Sequence, residues 1–159
     1  IKKIYGVHIH KKFDAAIISN GGAPKDCNLF QSVKGLHNGL FAMNDGSSVV
    51  LCAECFNGFG PEGYRLGFEC ESYEQLWEKQ AYERYDPEMA ISLLTMRYLT
   101  HMKVYLISGL TDEEVRKAGM IPVRTPEEAW ALIKADKPEL TELMVLPCGA
   151  LTCPIVEEE

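Results

Sequence analysis

Residues 14–43, DAAIISNGGAPKDCNLFQSVKGLHNGLFAM, decide the fold. Ala15-Ala16-Ile17-Ile18 is a short apolar run closed by Ser19-Asn20-Gly21-Gly22, which reads as a buried strand followed by a chain reversal. Pro24 disfavours helix immediately before it. Asp26 is then placed to cap a helix, its side-chain oxygen accepting from the first free amides. Beyond it Leu29, Val33, Leu36 and Leu40 recur at spacings of 4, 3 and 4 residues. At about 100° per residue these four side chains form one narrow stripe, which must pack on the sheet that holds the preceding strand.

Gln31 and Lys34 are three apart and therefore neighbours on the helix surface, roughly opposite the apolar stripe. Phe30, His37 and Phe41 lie along one flank. The helix thus holds an amide and an ammonium outward in its first two turns. In an open α/β sheet that end of the helix borders the crevice beyond the carboxyl ends of the strands, where ligands bind. A helix N-terminus favours an anion there, and Lys34 adds a full charge. A pair of ordinary solvated surface residues is the alternative that position alone leaves open.

Working outward, Ile4-Tyr5-Gly6-Val7-His8-Ile9-His10 reads as a first strand, half-exposed at an edge, with His8 and His10 on one face. Two histidines make a metal site conceivable, but no third ligand is in sight. Asn44-Asp45-Gly46 reads as the C-cap turn of the organising helix, and Ser48-Val49-Val50-Leu51-Cys52 as a second buried strand. Gly58-Phe59-Gly60-Pro61-Glu62-Gly63 matches G-x-G-x-x-G formally. Tyr64-Arg65-Leu66-Gly67 is not expected to open a helix, so a glycine-rich loop is predicted and not a dinucleotide fingerprint. Glu54 is read as a solvated strand end, with a place beside Lys34 at the crevice as the alternative.

Ser72 caps a helix expected to reach about Arg84, close to a capping box with Gln75, and Asp86-Pro87 opens another carrying Met89, Leu93, Met96 and Tyr98 toward the core. Residues 103–107 form a strand, Thr111 starts a helix ended by Gly119, and Ile121-Pro122-Val123 is a short edge strand. Thr125-Pro126 starts a helix to about Ala135 with Ala129, Leu132 and Ile133 inward. Leu143-Met144-Val145-Leu146 is the last strand, ahead of an acidic end at 157–159. Strands alternating with helices give an open, mostly parallel α/β sheet with helices on both faces, a Rossmann-like three-layer single domain.

With 159 residues, 47% of them hydrophobic, the chain can bury a core of its own. A net charge of −7 argues against a nucleic-acid surface, which needs a basic stripe. No apolar run reaches the length of a membrane span, and no secretory signal pattern opens the chain. The chain begins at Ile1 directly with strand-forming residues, the expectation for a piece of a longer protein. Six cysteines include Cys52-Ala53-Glu54-Cys55, but no second close pair completes a zinc site and the following loop is not a redox helix. Reduced structural thiols, and hence a cytosolic compartment, are expected.

SNGGAPKDCNLFQSVKG resembles the signature S-x-GG-x-P-x-D-x-N-L-Y-Q-x-x-K at the start of the C-terminal domain in the nickel-pincer lactate racemase family. VVLCAECFNGFG, VYLISGLTDEEVRKAGMIPVRTPEEAWALI and VLPCGALTCP resemble later stretches of the same domain in the same order. The resemblance implies an enzyme that interconverts the stereoisomers of a 2-hydroxy acid. Its cofactor would be a nickel ion in a pyridinium-mononucleotide pincer, which takes a hydride from the substrate Cα and returns it to the other face. The lysine tether, the nickel ligand and the acid/base histidines of the family belong to an N-terminal domain outside this chain.

By the same resemblance Lys34 would bind the substrate carboxylate and Gln31 would orient it. Phe30, which stands where the family has tyrosine, would line the pocket together with Gly21 and Gly22 of the preceding turn. Loss of that hydroxyl removes a hydrogen bond that would discriminate between substrates, so a bulkier or less polar acid than lactate is open. The alternative is a non-catalytic α/β domain binding an anionic metabolite or a partner protein. A zinc or thiol-redox module built on Cys52 and Cys55 is a third possibility.

Overall fold

The computed structural model describes residues 2–83 and 85–157. A single helical turn, α1 (Lys2–Tyr5), leads into β1 (Gly6–Ile9) and β2 (Phe13–Ser19). There follow α2 (Leu29–Gly39), β3 (Met43–Cys52), α3 (Glu62–Gly67), α4 (Tyr73–Tyr82), α5 (Pro87–Leu99) and β4 (Lys103–Ile107). The chain closes with α6 (Asp112–Lys117), β5 (Ile121–Pro122), α7 (Pro126–Asp136), β6 (Met144–Leu146) and β7 (Cys153–Val156). Five strands form one sheet in the order β5-β4-β3-β2-β6, every neighbour parallel. The α/β class and the parallel sheet are as expected. Among the described residues no helix is long and apolar enough to cross a membrane.

The sheet is buried on one face along its whole width. Ala16 lies beside Val49 and Met144, Ile18 beside Leu51 and Leu146, and Val49 and Leu51 beside Val104 and Leu106. Against this layer α2 lays Leu29, Val33 and Leu36, all fully buried, and α6 adds Val115. Each such side chain contributes on the order of 1.5–3 kcal/mol relative to exposure. The other face carries a smaller cluster in which Ala129 and Ile133 of α7 cover Ala15, Val50 and Tyr105.

Two glycines let α2 press on the sheet more closely than any side chain would permit. A Cβ on Gly39 would stand 2.4 Å from Ile18 Cδ1, and one on Gly35 1.9 Å from Asn20 Oδ1. The inward face of α5 is partly polar: Ser92 and Thr95 are buried beside Met89. Ser92 Oγ donates to the Tyr64 carbonyl at 2.6 Å, while Thr95 Oγ1 donates to the Ile91 carbonyl at 2.8 Å and meets His37 Nε2 at 3.2 Å.

Several boundaries differ from those expected. Residues 4–10 are not one strand: Gly6 divides the α1 turn from β1, and β1 pairs only with β7 in a separate parallel ribbon. That β7 follows β6 means the strand at 144–146 is not the last. Asn44-Asp45-Gly46 is not a C-cap but the start of β3, because α2 ends in a 3-10 turn over Leu40–Ala42. Tyr64 to Gly67 are helical after all, within α3, where Glu62 in the first turn favours a helix start.

Gln75 Oε1 accepts from the Glu71 amide, so the capping box at Ser72 is not reciprocal. That helix stops at Tyr82, and Arg84 lies outside the described residues. Leu132 is 45% exposed, while Ala129 and Ile133 of α7 are buried on the sheet with Trp130 packed partly against the same cluster.

Candidate functional site

The strand β2 leads through α2 to β3 on one side, while β6 returns from the far edge through α7 on the other face. The connections diverge at the carboxyl end of β2, and a crevice opens there by topology alone. Loops 20–28 and 147–149 meet in it. Gly21 and Gly22 adopt φ of +89° and +80°, left-handed values that glycine takes without strain. A Cβ on Gly21 would lie 3.3 Å from Cys148 Sγ.

Asn28, and not Asp26, caps α2. Its Oδ1 accepts from the Gln31 amide at 2.9 Å, and its carbonyl accepts from the Ser32 amide at 3.0 Å. Asp26 is buried two residues earlier in a chain that is still turning. Its Oδ2 accepts from the Glu54 amide at 3.3 Å and its carbonyl from the Cys55 amide at 2.8 Å. The next two amides of the helix are also engaged: Leu29 donates to the Gly58 carbonyl and Phe30 to the Phe59 carbonyl, each at 3.0 Å.

All three leading amides therefore have partners, and none of them is left free to bond an anion. The glycine-rich loop is explained by this contact. Gly60 sits at φ +107°, and a Cβ on it would lie 2.8 Å from Phe30 Cβ.

The first two turns of α2 bring together a set of side chains. Lys34 is exposed and donates from Nζ to Gln31 Oε1, while Nζ lies 5.5 Å from the Phe30 ring centroid. Phe30 in turn meets Tyr64 edge-on at 5.4 Å, and Tyr64 packs on Phe68 at 5.1 Å. Burial pushes the Tyr64 phenol well above the usual range, so it stays neutral. Ammonium, amide and ring form one connected group on a rigid aromatic base. Gly21 and Gly22 belong to the loop that leads into it.

One neighbour went unread in the sequence. Asn20 is 1% exposed, and its Nδ2 donates to the Lys25 carbonyl at 2.7 Å and to the Gln31 carbonyl at 2.9 Å. The signal available was an asparagine between a strand and a double glycine, which reads as a turn residue and not as a buried tie.

The other candidates lie apart from this group. The Glu54 side chain is exposed, while its carbonyl accepts from the Gly109 amide at 2.7 Å and so fastens the ends of β3 and β4. His8 and His10 reach the two oxygens of Glu157 at 2.9 and 3.2 Å, on the β1–β7 ribbon. Among the described residues no three or more His, Cys, Asp or Glu side chains are grouped to hold a metal ion. All six cysteines are free. Cys55 is buried with its sulfur 3.6 Å from Ser32 Oγ, and burial pushes its thiol up to about 11, the opposite of redox activation.

The model of the lactate racemase C-terminal domain matches residues 9–152. The chain belongs to this family. It is 31% identical over 144 residues to the lactate racemase of Thermoanaerobacterium thermosaccharolyticum, covering 87% of this chain and 34% of that protein. It is 26% identical over 141 residues to the lactate racemase of Lactiplantibacillus plantarum, covering 86% and 33% respectively. The structure of the Thermoanaerobacterium lactate racemase apoprotein superposes with a TM-score of 0.86 at 30% identity, over 99% of this chain and 38% of that one. A Thermotoga maritima protein with a TM-score of 0.64 at 14% identity shares the fold. This lactate racemase C-terminal domain thus spans about a third of the length of its curated relatives, as 34% and 33% coverage record.

Proposed function

We propose that this chain is the substrate-binding, cleft-closing domain of a racemase or epimerase that acts on a 2-hydroxy acid, with Lys34 and Gln31 as its clamp on the substrate carboxylate. The observation that carries the proposal is the Lys34–Gln31 hydrogen bond in the first two turns of α2. An ammonium has donors only, so the amide must turn its oxygen toward Lys34 and its Nε2 hydrogens outward. Both residues then offer donors, the arrangement that a two-oxygen anion needs. Lys34 makes the charge-assisted bond and Gln31 fixes the second oxygen. Phe30 supplies an apolar wall that excludes water and, without a hydroxyl, leaves the substrate side chain loosely specified.

The nickel-pincer cofactor implied by the resemblance finds no donor set here. Amide, ammonium and phenyl groups are not nickel ligands, and the described residues offer no metal cluster elsewhere. The cofactor would belong to an N-terminal domain across the cleft, and no chemical step is assigned to it on this chain. The 159-residue chain alone is accordingly expected to be catalytically silent; racemisation by the purified chain would overturn that.

The deciding experiment is a racemisation assay on the full-length parent, cofactor-loaded, over a panel of 2-hydroxy acids in deuterated water. Inversion without deuterium at Cα supports internal hydride transfer and names the substrate. Inversion with deuterium incorporated points to proton abstraction and removes the hydride mechanism. No inversion of any acid by loaded protein shifts the function to a non-catalytic domain that binds an anion.

A further inference from the structure

We propose that Asn20 is a positioning residue for the Gln31–Lys34 clamp, an inference that rests on reading that pair as the carboxylate site. Asn20 directly follows β2, where the chain turns toward α2, and it is buried to 1% exposure. One carboxamide links three places: the residue just past β2 that carries it, the loop at the Lys25 carbonyl, 2.7 Å away, and the first turn of α2 at the Gln31 carbonyl, 2.9 Å away. The second bond reaches the backbone of a clamp residue itself. Since Gln31 and Lys34 share one helical turn, whatever fixes the Gln31 carbonyl against β2 fixes where both donors stand.

Two features argue that the side chain is retained for these bonds and not for packing. Its Oδ1 is buried with no hydrogen-bond partner, a cost that an apolar residue at this place would not incur. The oxygen is admitted only because position 35 is glycine: a Cβ there would stand 1.9 Å from Oδ1. A notch in α2 and an orphaned oxygen are both accepted so that two amide hydrogens can reach two carbonyls. The helix amides themselves are engaged by the Gly58 and Phe59 carbonyls, so the anion depends on side chains whose placement depends on α2.

The test is a double-mutant cycle in the full-length parent, with kcat/KM measured for the best 2-hydroxy acid and oxalate affinity measured by calorimetry in parallel. Asn20→Ala is expected to lower kcat/KM by about ten- to a hundredfold, the scale of a small misplacement, mainly through KM. In a Lys34→Ala background the same change should cost no more than about twofold, because the clamp it positions is already broken.

An equal loss in both backgrounds overturns the proposal, since a general structural role adds independently. If Asn20→Ala does not fold, Asn20→Ser, which keeps one donor, enters the same cycle. A parent that racemises nothing yet binds oxalate with this coupling upholds Asn20 and ends the racemase reading. Neither activity nor oxalate binding ends both.

Discussion

Replacing Lys34 by alanine separates a binding role from a structural one, because the structure sets different magnitudes on the two. The side chain is exposed, and its contacts are a hydrogen bond to Gln31 three residues away and a position 5.5 Å over the Phe30 ring. Such a helix pair contributes about 0.2–0.5 kcal/mol, and a cation over an exposed ring about 0.5–1 kcal/mol. Loss of both lowers Tm by about 6 °C at most for a domain of this size. A charge-assisted bond to a substrate carboxylate is larger, about 1.5–3 kcal/mol, or roughly a ten- to 150-fold fall in kcat/KM. The assay pairs chiral chromatography of product from the full-length parent with a thermal melt of the same variant. Lys34→Met, which keeps the apolar stem over Phe30, should lose as much activity with a smaller change in Tm. The reasoning is refuted by a fall in kcat/KM under threefold, or by a Tm loss large enough to leave the variant unfolded at the assay temperature.

Three further outcomes follow from the packing. Gly39→Ala should destabilise by about 1–3 kcal/mol, because its methyl would meet Ile18 Cδ1, offset by up to about 1 kcal/mol of helix propensity. Combined with Ile18→Val, which removes that atom, it should cost at least about 1 kcal/mol less than the sum of the two single changes, and additivity in urea melts would refute the contact. His37 is pushed down to about 4 by burial, so it is neutral when folded and protonates first in the unfolded chain. Its contribution to stability is complete above about pH 6.5 and is lost as pH falls toward 4, up to about 3 kcal/mol; His37→Gln should flatten that part of the urea-midpoint profile. Native iodoacetamide labelling should modify exposed Cys148 well before buried Cys55, whose thiol stays protonated, and mass spectrometry that finds Cys55 labelled first would contradict its burial.

The strands and the apolar stripe of α2 were legible because burial on both sides of a parallel sheet writes itself as unbroken apolar runs and a 3.6-residue period. Leu29, Val33 and Leu36 are buried as their spacing predicts, and Lys34 is exposed with Gln31 half-buried beside it. Features set by distant partners were not legible. Asp26 has the side chain of a cap, but residues 54 and 55 draw it into a turn and Asn28 caps the helix instead. The need for glycine at 35 and 39 is set by Asn20 and Ile18, which occupy the space that side chains there would need. Nothing in the local pattern marks Ser92 and Thr95, the hydroxyls that join α5 to the Tyr64 carbonyl and to His37. A strand that pairs only with the far end of the chain, as β1 does with β7, leaves no mark in local periodicity.

The two carbonyls of Gly58 and Phe59 that receive the first amides of α2 make the glycine-rich loop and the helix a single mechanical piece. This loop cannot swing away as a flap without uncapping the helix it rests on. On the proposed reading, recognition then falls to a few replaceable side chains and not to backbone. A substitution on the first turn of α2, such as the phenylalanine that this chain carries at position 30, would then redirect what is bound while the scaffold beneath it stays as it was.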